Sequence, residues 1–280
     1  MPIGILLNPR AGKNKSGKIL RSIITLLNAK AIPYQAFTNE WPIDYSKFSA
    51  VWLIGGDGTL NYFINHFPQA NLPLALFKGG TGNDFATHLY GAASTEEMVN
   101  IILNASPRPV DAGICNGQLF VNTVGIGFDG QVLKNMNTIR WMGSFLGYYT
   151  AIIKNIFSFI EPEYTIHVDH QPTICGRLLL VLLSNAPATG GGFVVSPMAD
   201  SCDGKLNLIT CQPLSRLKRL FALPSIRKGS HLQLPFIHHQ AVQSVTVETA
   251  VTVAAQIDGE LIFGRRFDCN ILPGRYQFLF

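Results

Sequence analysis

Charge is scarce in this chain: Asp, Glu, Lys and Arg make up 14% of its 280 residues, against 47% hydrophobic. That balance excludes an intrinsically disordered segment and leaves a globular, apolar-rich fold. Cysteine is sparse, five residues with no CxxC spacing. An odd, unpatterned set excludes a disulfide framework and points to free thiols in a reducing compartment. The opening, MPIGILLNPRAGK, lacks the charged-then-apolar order of a signal peptide. The longest apolar stretch, Trp141 to Ile153, stops at Lys154 and carries Gly, Ser, Tyr and Thr, too short to span a bilayer. Internal repeats and low-complexity tracts are missing too. The expectation is a soluble, cytoplasmic protein with no transmembrane segment. The charge that is present sums to +5, which suits nucleotide, anionic lipid or nucleic acid without choosing among them. The length allows one large domain or two modest ones.

What is abundant is glycine in particular places. Val51 to Asn61 reads VWLIGGDGTLN: a short apolar strand, then glycines with an aspartate among them, then a helix opening at Thr59. Such a turn brings bare backbone N–H groups and the positive end of a helix dipole up to a ligand, and phosphate is the ligand that fits. Asp57 repels phosphate unless a cation stands between them, so the pattern suggests a nucleotide handled with Mg²⁺. The plainer reading is a strand-to-helix loop whose glycines only satisfy positive φ. On these residues alone the two stand level.

The chain before and after repeats this rhythm. Ile3 to Leu7 reads as a strand, Asn8 to Lys18 as a loop rich in Gly, Lys and Arg, and Ile19, Leu20, Ile23, Ile24 and Leu27 as one helical face. Gly12 to Lys18 comes close to a Walker A loop, but Ile19 stands where that motif needs a hydroxyl for Mg²⁺. It is read as a basic loop able to touch phosphate, with Asn8 and Lys13 as its candidates. Strands follow at Tyr34 to Thr38 and Leu74 to Phe77, and KGGTGNDFA (Lys78 to Ala86) repeats the strand–glycine–helix device. Asn83 and Asp84 can cap that helix or face a ligand. Ser94 and Glu97 form a capping box for the next helix. Alternating strands and helices imply a parallel sheet with helices on both faces, both glycine loops opening at its carboxyl edge.

Pro107 and Pro109 change the texture, and the chain beyond is mainly strand-like. We place an α/β domain at 1–108 and a β-rich sandwich or barrel domain at 109–280, with the last strands free to pack back toward the first. GIGFDG (Gly125 to Gly130) matches G-x-G-x-x-G formally, but no following strand supplies the ribose-binding acid, so a dinucleotide fingerprint is rejected. Trp141 to Phe159 reads as one amphipathic helix. From Val245 to Ile257 every odd position is apolar except Thr249, the period of a strand. Asp203-Gly204 and Asp258-Gly259 each read first as hairpin turns.

NPRAGK, GGDGTLN, GTGNDFA, PMADSCDGKL and IDGEL, in that order and spanning Asn8 to the last strands, resemble the diacylglycerol-kinase-like lipid kinases, especially their soluble bacterial branch. GGDGT is shared with NAD kinases and phosphofructokinases; GTGNDFA at this distance is far more specific. The resemblance implies a nucleotide domain and a β-rich domain with the active site in the cleft between them. It implies ATP over Gly55, Gly56, Asp57, Gly58, Thr59, Leu60 and Asn61, with Thr38 and Thr81 beside it. Asp258 would be the general base, Glu260 a neighbour of nucleotide and metal, and Asp84 an acid orienting the reaction. Asp57 would neighbour phosphate and Mg²⁺. Asp200 and Asp203, with the carbonyl of Lys205, match a cation site bracing the second domain, although Met198 and Cys202 stand where many members carry acids. The expected activity is ATP- and Mg²⁺-dependent phosphorylation of a lipid hydroxyl, as in diacylglycerol, phosphatidylglycerol or a sphingoid base.

Two other functions are compatible with the loops: an NAD kinase, against which GTGNDFA counts, and a nucleotide-sensing regulator, against which the full set of acids counts. Leu214 to Lys228 holds Arg216, Lys218, Arg219, Arg227 and Lys228 among apolar residues and could rest on anionic headgroups. An ordinary surface helix broken by Pro224 is the slightly favoured alternative. His238-His239 has no third ligand nearby and reads as a loop pair. The partner expected is a lipid at a membrane surface, with no nucleic acid and a homodimer left open.

Overall fold

A computed structural model describes residues 1–9, 11–12, 15–138, 144–169 and 172–280. Lys13 and the first residues of the helix expected from Trp141 lie outside the described residues.

The chain divides into two compact units, 1–112 with 273–280, and 113–272. The first contains β1 (Ile3–Leu7), α1 (Lys15–Ala29), β2 (Tyr34–Phe37), β3 (Ala50–Gly55), α2 (Asp57–His66), β4 (Leu74–Lys78), α3 (Asp84–Tyr90) and α4 (Thr95–Asn104). β5 (Pro107–Cys115) carries the chain into the second unit. There follow β6 (Gln118–Phe120), β7 (Thr123–Gly127), α5 (Phe128–Thr138), α6 (Ser144–Ser158), β8 (Glu163–Val168), β9 (Ile174–Arg177), β10 (Leu180–Ser184), β11 (Leu206–Cys211), α7 (Arg216–Lys228), β12 (Ile237–Val242) and β13 (Ser244–Ile257). The last strand, β14 (Glu260–Leu279), ends in the first unit.

In the first unit β2, β1, β3 and β4 pair in parallel in that order, and Phe278 of β14 pairs in parallel with Leu74 of β4. β3 is buried along its whole length, as a central parallel strand must be, and its continuous AVWLIG run follows from that. Each such fully buried aliphatic or aromatic side chain stabilises by about 1.5–3 kcal/mol. α1 buries Ile19, Ile23 and Leu27 at the expected spacing and packs with α4, while α2 packs with α3. Ser94 and Glu97 form their capping box. Trp41 and Tyr45, on the stretch between β2 and β3, pack edge-on or tilted against Phe63 and Phe67 and so tie that stretch to α2.

The second unit is a β-sandwich. β7 pairs antiparallel with β10 and β13, and β10, β11 and β12 continue the sheet. β13 also pairs with β14 and, through its first half, with β8, which pairs with β9. One apolar core collects Phe120, Ile126, Tyr164, Leu183, Leu208, Val247 and Phe267 from these strands. The alternation expected through β13 fails at Val251, which is exposed. A register shift between Glu248 and Val253 re-aims the strand there. His238 and His239 lie on β12, exposed, where they continue a strand instead of forming a loop. α5, α6 and α7 share a separate cluster around Val132, Ile152 and Ile156.

Candidate active site

In the first unit the two glycine loops pack on each other. A Cβ on Gly80 would overlap the Cα of Gly56, and one on Gly79 would lie 3.0 Å from the backbone nitrogen of Gly55. These glycines are needed because main chain meets main chain, an approach that any side chain blocks. Gly58 differs: a Cβ there would meet nothing within 4 Å. α2 begins at Asp57, two residues before Thr59, with Gly56 as its N-cap and no side-chain cap.

Asp57 joins the loops. Its Oδ2 accepts the N–H of Asp84 at 3.0 Å and its Oδ1 the N–H of Phe85 at 2.9 Å. The N-terminus of α3 is thus capped by an acid from the other loop, where a negative charge also suits the helix dipole. Asn83, the local candidate for that cap, makes no such bond. It adopts a left-handed φ of 60° and exchanges two hydrogen bonds with the backbone of Gly80, at 2.7 and 3.0 Å. Asp84 is buried. Lys78 turns its ammonium to the carbonyls of Gly91 and Ala93, and burial, followed by repulsion from Lys15, lowers its pKa.

Asn8, at the end of β1, donates to the hydroxyl of buried Thr59 at 3.0 Å. Both border a cavity of about 570 Å³ with Asn39, Glu40, Trp41 and Tyr62. Thr38 is exposed next to Asn39, and Thr81 is exposed on the second loop. Leu60 and Asn61 are buried in α2. The lining from Asn39 to Trp41 carries no glycine or charge pattern, and sequence reasoning missed it.

In the second unit Asp258 and Gly259 form the two-residue turn between β13 and β14, with φ of 47° and 86°. Positive φ at both positions is what a primed hairpin turn requires, and Asp-Gly supplies it. The carboxylate folds inward. Its Oδ1 accepts the N–H groups of Asn122 and Thr123, both at 2.9 Å, and its Oδ2 that of Val121 at 2.8 Å. Three amide donors suit a charged acceptor. Glu260, across the turn, is exposed, so the two acids do not share an environment.

Beside this turn lies a pair that the sequence did not single out. Gln256 donates to the hydroxyl of Thr123 at 3.0 Å and to Oδ2 of Asp129 at 2.9 Å, and accepts the N–H of Gly259 at 2.7 Å. Asp129 sits in the first turn of α5, and a side chain at Gly125 would overlap its carboxylate. Burial raises the Asp129 pKa, opposed by the Gln256 hydrogen bond. The available signal was the acid of GIGFDG, a third strand–glycine–helix junction.

Asp200 and Asp203 lie on one turn: Asp200 accepts the N–H of Cys202 at 3.0 Å and Asp203 that of Lys205 at 2.9 Å. Among the described residues no group of three or more His, Cys, Asp or Glu is placed to hold a metal ion. A cation there would depend on two carboxylates, the Lys205 carbonyl and water.

The chain thus holds an α/β unit with two interlocked glycine loops and a β-sandwich unit presenting an acid on a tight turn. Residues 2–115 match the family described as diacylglycerol kinase catalytic domain. Residues 122–280, more than half the chain, match the YegS C-terminal NAD kinase beta sandwich-like domain. The chain belongs to the diacylglycerol-kinase-like lipid kinase family and is a phosphotransferase of that class. A diacylglycerol kinase of Mycobacterium tuberculosis is 27% identical over 237 residues, which cover 82% of this chain and 76% of the relative. The crystal structure of a diacylglycerol kinase from Bacillus anthracis str. Sterne superposes with a TM-score of 0.74 at 21% identity, covering 100% of this chain and 96% of that one. Another chain from that organism reaches 0.81 at 24% identity, covering 100% and 95%. At those identities the superpositions speak for the fold.

Proposed function

We propose that this lipid kinase transfers the γ-phosphoryl group of ATP to a lipid hydroxyl, with Mg²⁺. The observation that carries the nucleotide half is the N-terminus of α2: no side chain caps it, it follows Gly55-Gly56, and its Thr59 borders the 570 Å³ cavity. Helix N-termini of this kind hold phosphate. The lipid half rests on family membership and on relatives whose own names include diacylglycerol kinase.

ATP is assigned to the residues from Gly55 to Asn61 with Asn8, Thr38 and Thr81. Asp258 accepts the proton of the lipid hydroxyl as that oxygen forms its bond to the γ-phosphorus and the bond from phosphorus to the leaving ADP oxygen breaks. The three N–H groups at Val121, Asn122 and Thr123 hold the carboxylate in one orientation. Asp84 is assigned to orient the reacting groups, and Glu260 is assigned to act with nucleotide and metal. Mg²⁺ binds ATP with few protein ligands, so Asp57 and Glu260, its assigned neighbours, need not be joined by a cage of carboxylates. When bound, it offsets negative charge on the phosphate oxygens. A second cation at Asp200, Asp203 and Lys205 belongs to the same proposal, as does work at a membrane surface, where the acceptor resides.

The test is transfer of radioactive γ-phosphate from ATP to a mixed lipid extract, with NAD as a parallel acceptor, for wild type and Asp258→Asn, with and without Mg²⁺. A labelled lipid lost in the variant and without metal is expected. Label in NAD instead would replace this reading by an NAD kinase, whose β-sandwich the second domain's family is described as resembling.

A further inference from the structure

α7 departs from an ordinary surface helix in one respect: its outward face is apolar. At 100° per residue Arg219, Ala222, Leu223 and Ile226 share one side, and these are the residues that are buried or packed on the helical cluster. The opposite side carries Leu217, Phe221 and Pro224, spaced i, i+4, i+7, with Lys228 closing the same row at the helix end. Leu217 is 65% and Phe221 78% exposed, and Leu220 beside them is 39% exposed. The helix runs unbroken through Pro224. Leu220, whose carbonyl loses its intrahelical partner to that proline, lies on the solvent side, where water replaces the bond.

The cations sort by position as well. Arg219 points inward, donating to the carbonyls of Leu214, Ile156 and Phe159 and pairing with Glu161, so it leaves the set of surface charges read from the sequence. Arg216, Lys218, Arg227 and Lys228 are exposed, and the helix contains no acid. α6, packed beside α7, exposes Ile153 and Phe157, and Ile160 follows just past its end at 81% exposure. Two adjacent helices thus each leave large apolar side chains uncovered, with cations flanking one of them.

We infer that this α6–α7 surface docks on an anionic lipid bilayer, with Leu217 and Phe221 entering the interface and Arg216, Lys218, Arg227 and Lys228 meeting the headgroups. An apolar stripe flanked by basic residues is the pattern of an interfacial helix. A second copy of the chain is the poorer occupant. A two-fold contact through this face would bring the four cations against their own copies, with no acid on the helix to answer them. The inference rests on the lipid-kinase reading for its purpose, since docking brings the enzyme to its acceptor, but its evidence is the helix face alone.

Co-sedimentation of the full chain with phosphatidylcholine vesicles, with and without phosphatidylglycerol, tests it. ATP and any added acceptor are left out, so failure of the kinase reading does not enter. Wild type is expected to bind the phosphatidylglycerol vesicles and to be released by salt. Leu217→Ser/Phe221→Ser should bind about tenfold or more weakly, and Lys218→Glu/Lys228→Glu should lose the preference for the anionic lipid. Both variants should keep the wild-type melting temperature, because the four residues face solvent. Phosphoryl transfer to a water-soluble short-chain acceptor should also be unchanged. Wild type that ignores the vesicles, or a serine variant that binds like wild type, would overturn the inference. So would a wild-type dimer in light scattering that the serine variant dissolves, which would give the face to a second copy.

Discussion

Thr123 and Asp258 hold each other through the main chain. The N–H of Asp258 donates to the carbonyl of Thr123 at 3.0 Å, and the N–H of Thr123 donates back to Oδ1 of Asp258 at 2.9 Å. With Val121 and Asn122 donating as well, three backbone N–H groups converge on the carboxylate. Asp258→Asn puts an amide where three donors converge, so one N–H loses its acceptor. Phosphoryl transfer should fall by roughly 10²–10⁴-fold, and stability by about 1–3 kcal/mol. Kinetics and a denaturant titration on the same preparation separate the two effects.

Asp129 gives a pH dependence. Burial raises its carboxyl above the ordinary value of 3.8. The folded chain then keeps a proton that the unfolded chain has released. The stability tied to that proton is full at the acid end, below the unfolded value, and is lost as pH rises through the folded one. Asp129→Asn cannot ionise. Its melting temperature relative to wild type should therefore improve on going from about pH 4 to pH 8. A difference that stays flat over this range would count against the buried charge.

Asp57 caps α3 from outside that helix. Asp57→Ala should cost about 0.5–2 kcal/mol, the usual worth of a cap. Asp57→Asn, which keeps an acceptor oxygen, should recover part of that loss. If Asp57 also neighbours phosphate and metal, both variants will raise the KM for ATP, and only the alanine variant will lose much stability.

The glycines divide by what they approach. Gly80→Ala pushes a methyl group into the backbone of Gly56 and should cost about 1–3 kcal/mol. Gly58→Ala meets open space within a helix, and alanine there should leave stability equal or raise it by up to about 1 kcal/mol. ATP affinity should nonetheless fall in the Gly58 variant if the nucleotide lies against that turn. Thermal melts and nucleotide titrations of the two variants read both outcomes.

Arg219 and Glu161 form the one ion pair among the described residues with both side chains largely buried, at 7% and 14% exposure. Arg219→Ala leaves Glu161 and three carbonyls without that donor and should cost about 3–5 kcal/mol, seen as a lower melting temperature. Vesicle binding per folded molecule should be unchanged, since this cation does not face the solvent.

Much of this protein is local and was readable. The period of Ile19, Ile23 and Leu27, the apolar run before Gly55, the Ser94–Glu97 box and the Asp258-Gly259 hairpin each depend on residues within one turn or strand. Steric and hydrogen-bonding preferences act at that range. The strand–glycine–helix device located both loops, and the order of motifs identified the family. Other features were not readable because they join distant residues. β14 runs as one strand from Glu260 to Leu279, through Gly264, Pro273 and Gly274, its end pairing with β4. Val251 kept the apolar period and is exposed, since the register shift lies in the pairing of two strands.

Residue type, spacing and turn chemistry determined, by sequence alone, that the chain forms an α/β unit with two glycine loops and a strand-rich unit ending its IDG run in a tight turn. Tertiary structure decided what each group at those places touches. It made Asp57 the cap of another loop's helix, and it set Gly79-Gly80 against Gly55-Gly56. It turned the Asp258 carboxylate onto the backbone at 121–123, buried Arg219 and left Phe221 in solvent. The reason is physical: a backbone preference is settled among neighbours in the chain, whereas burial and close approach depend on which distant segments come to lie alongside.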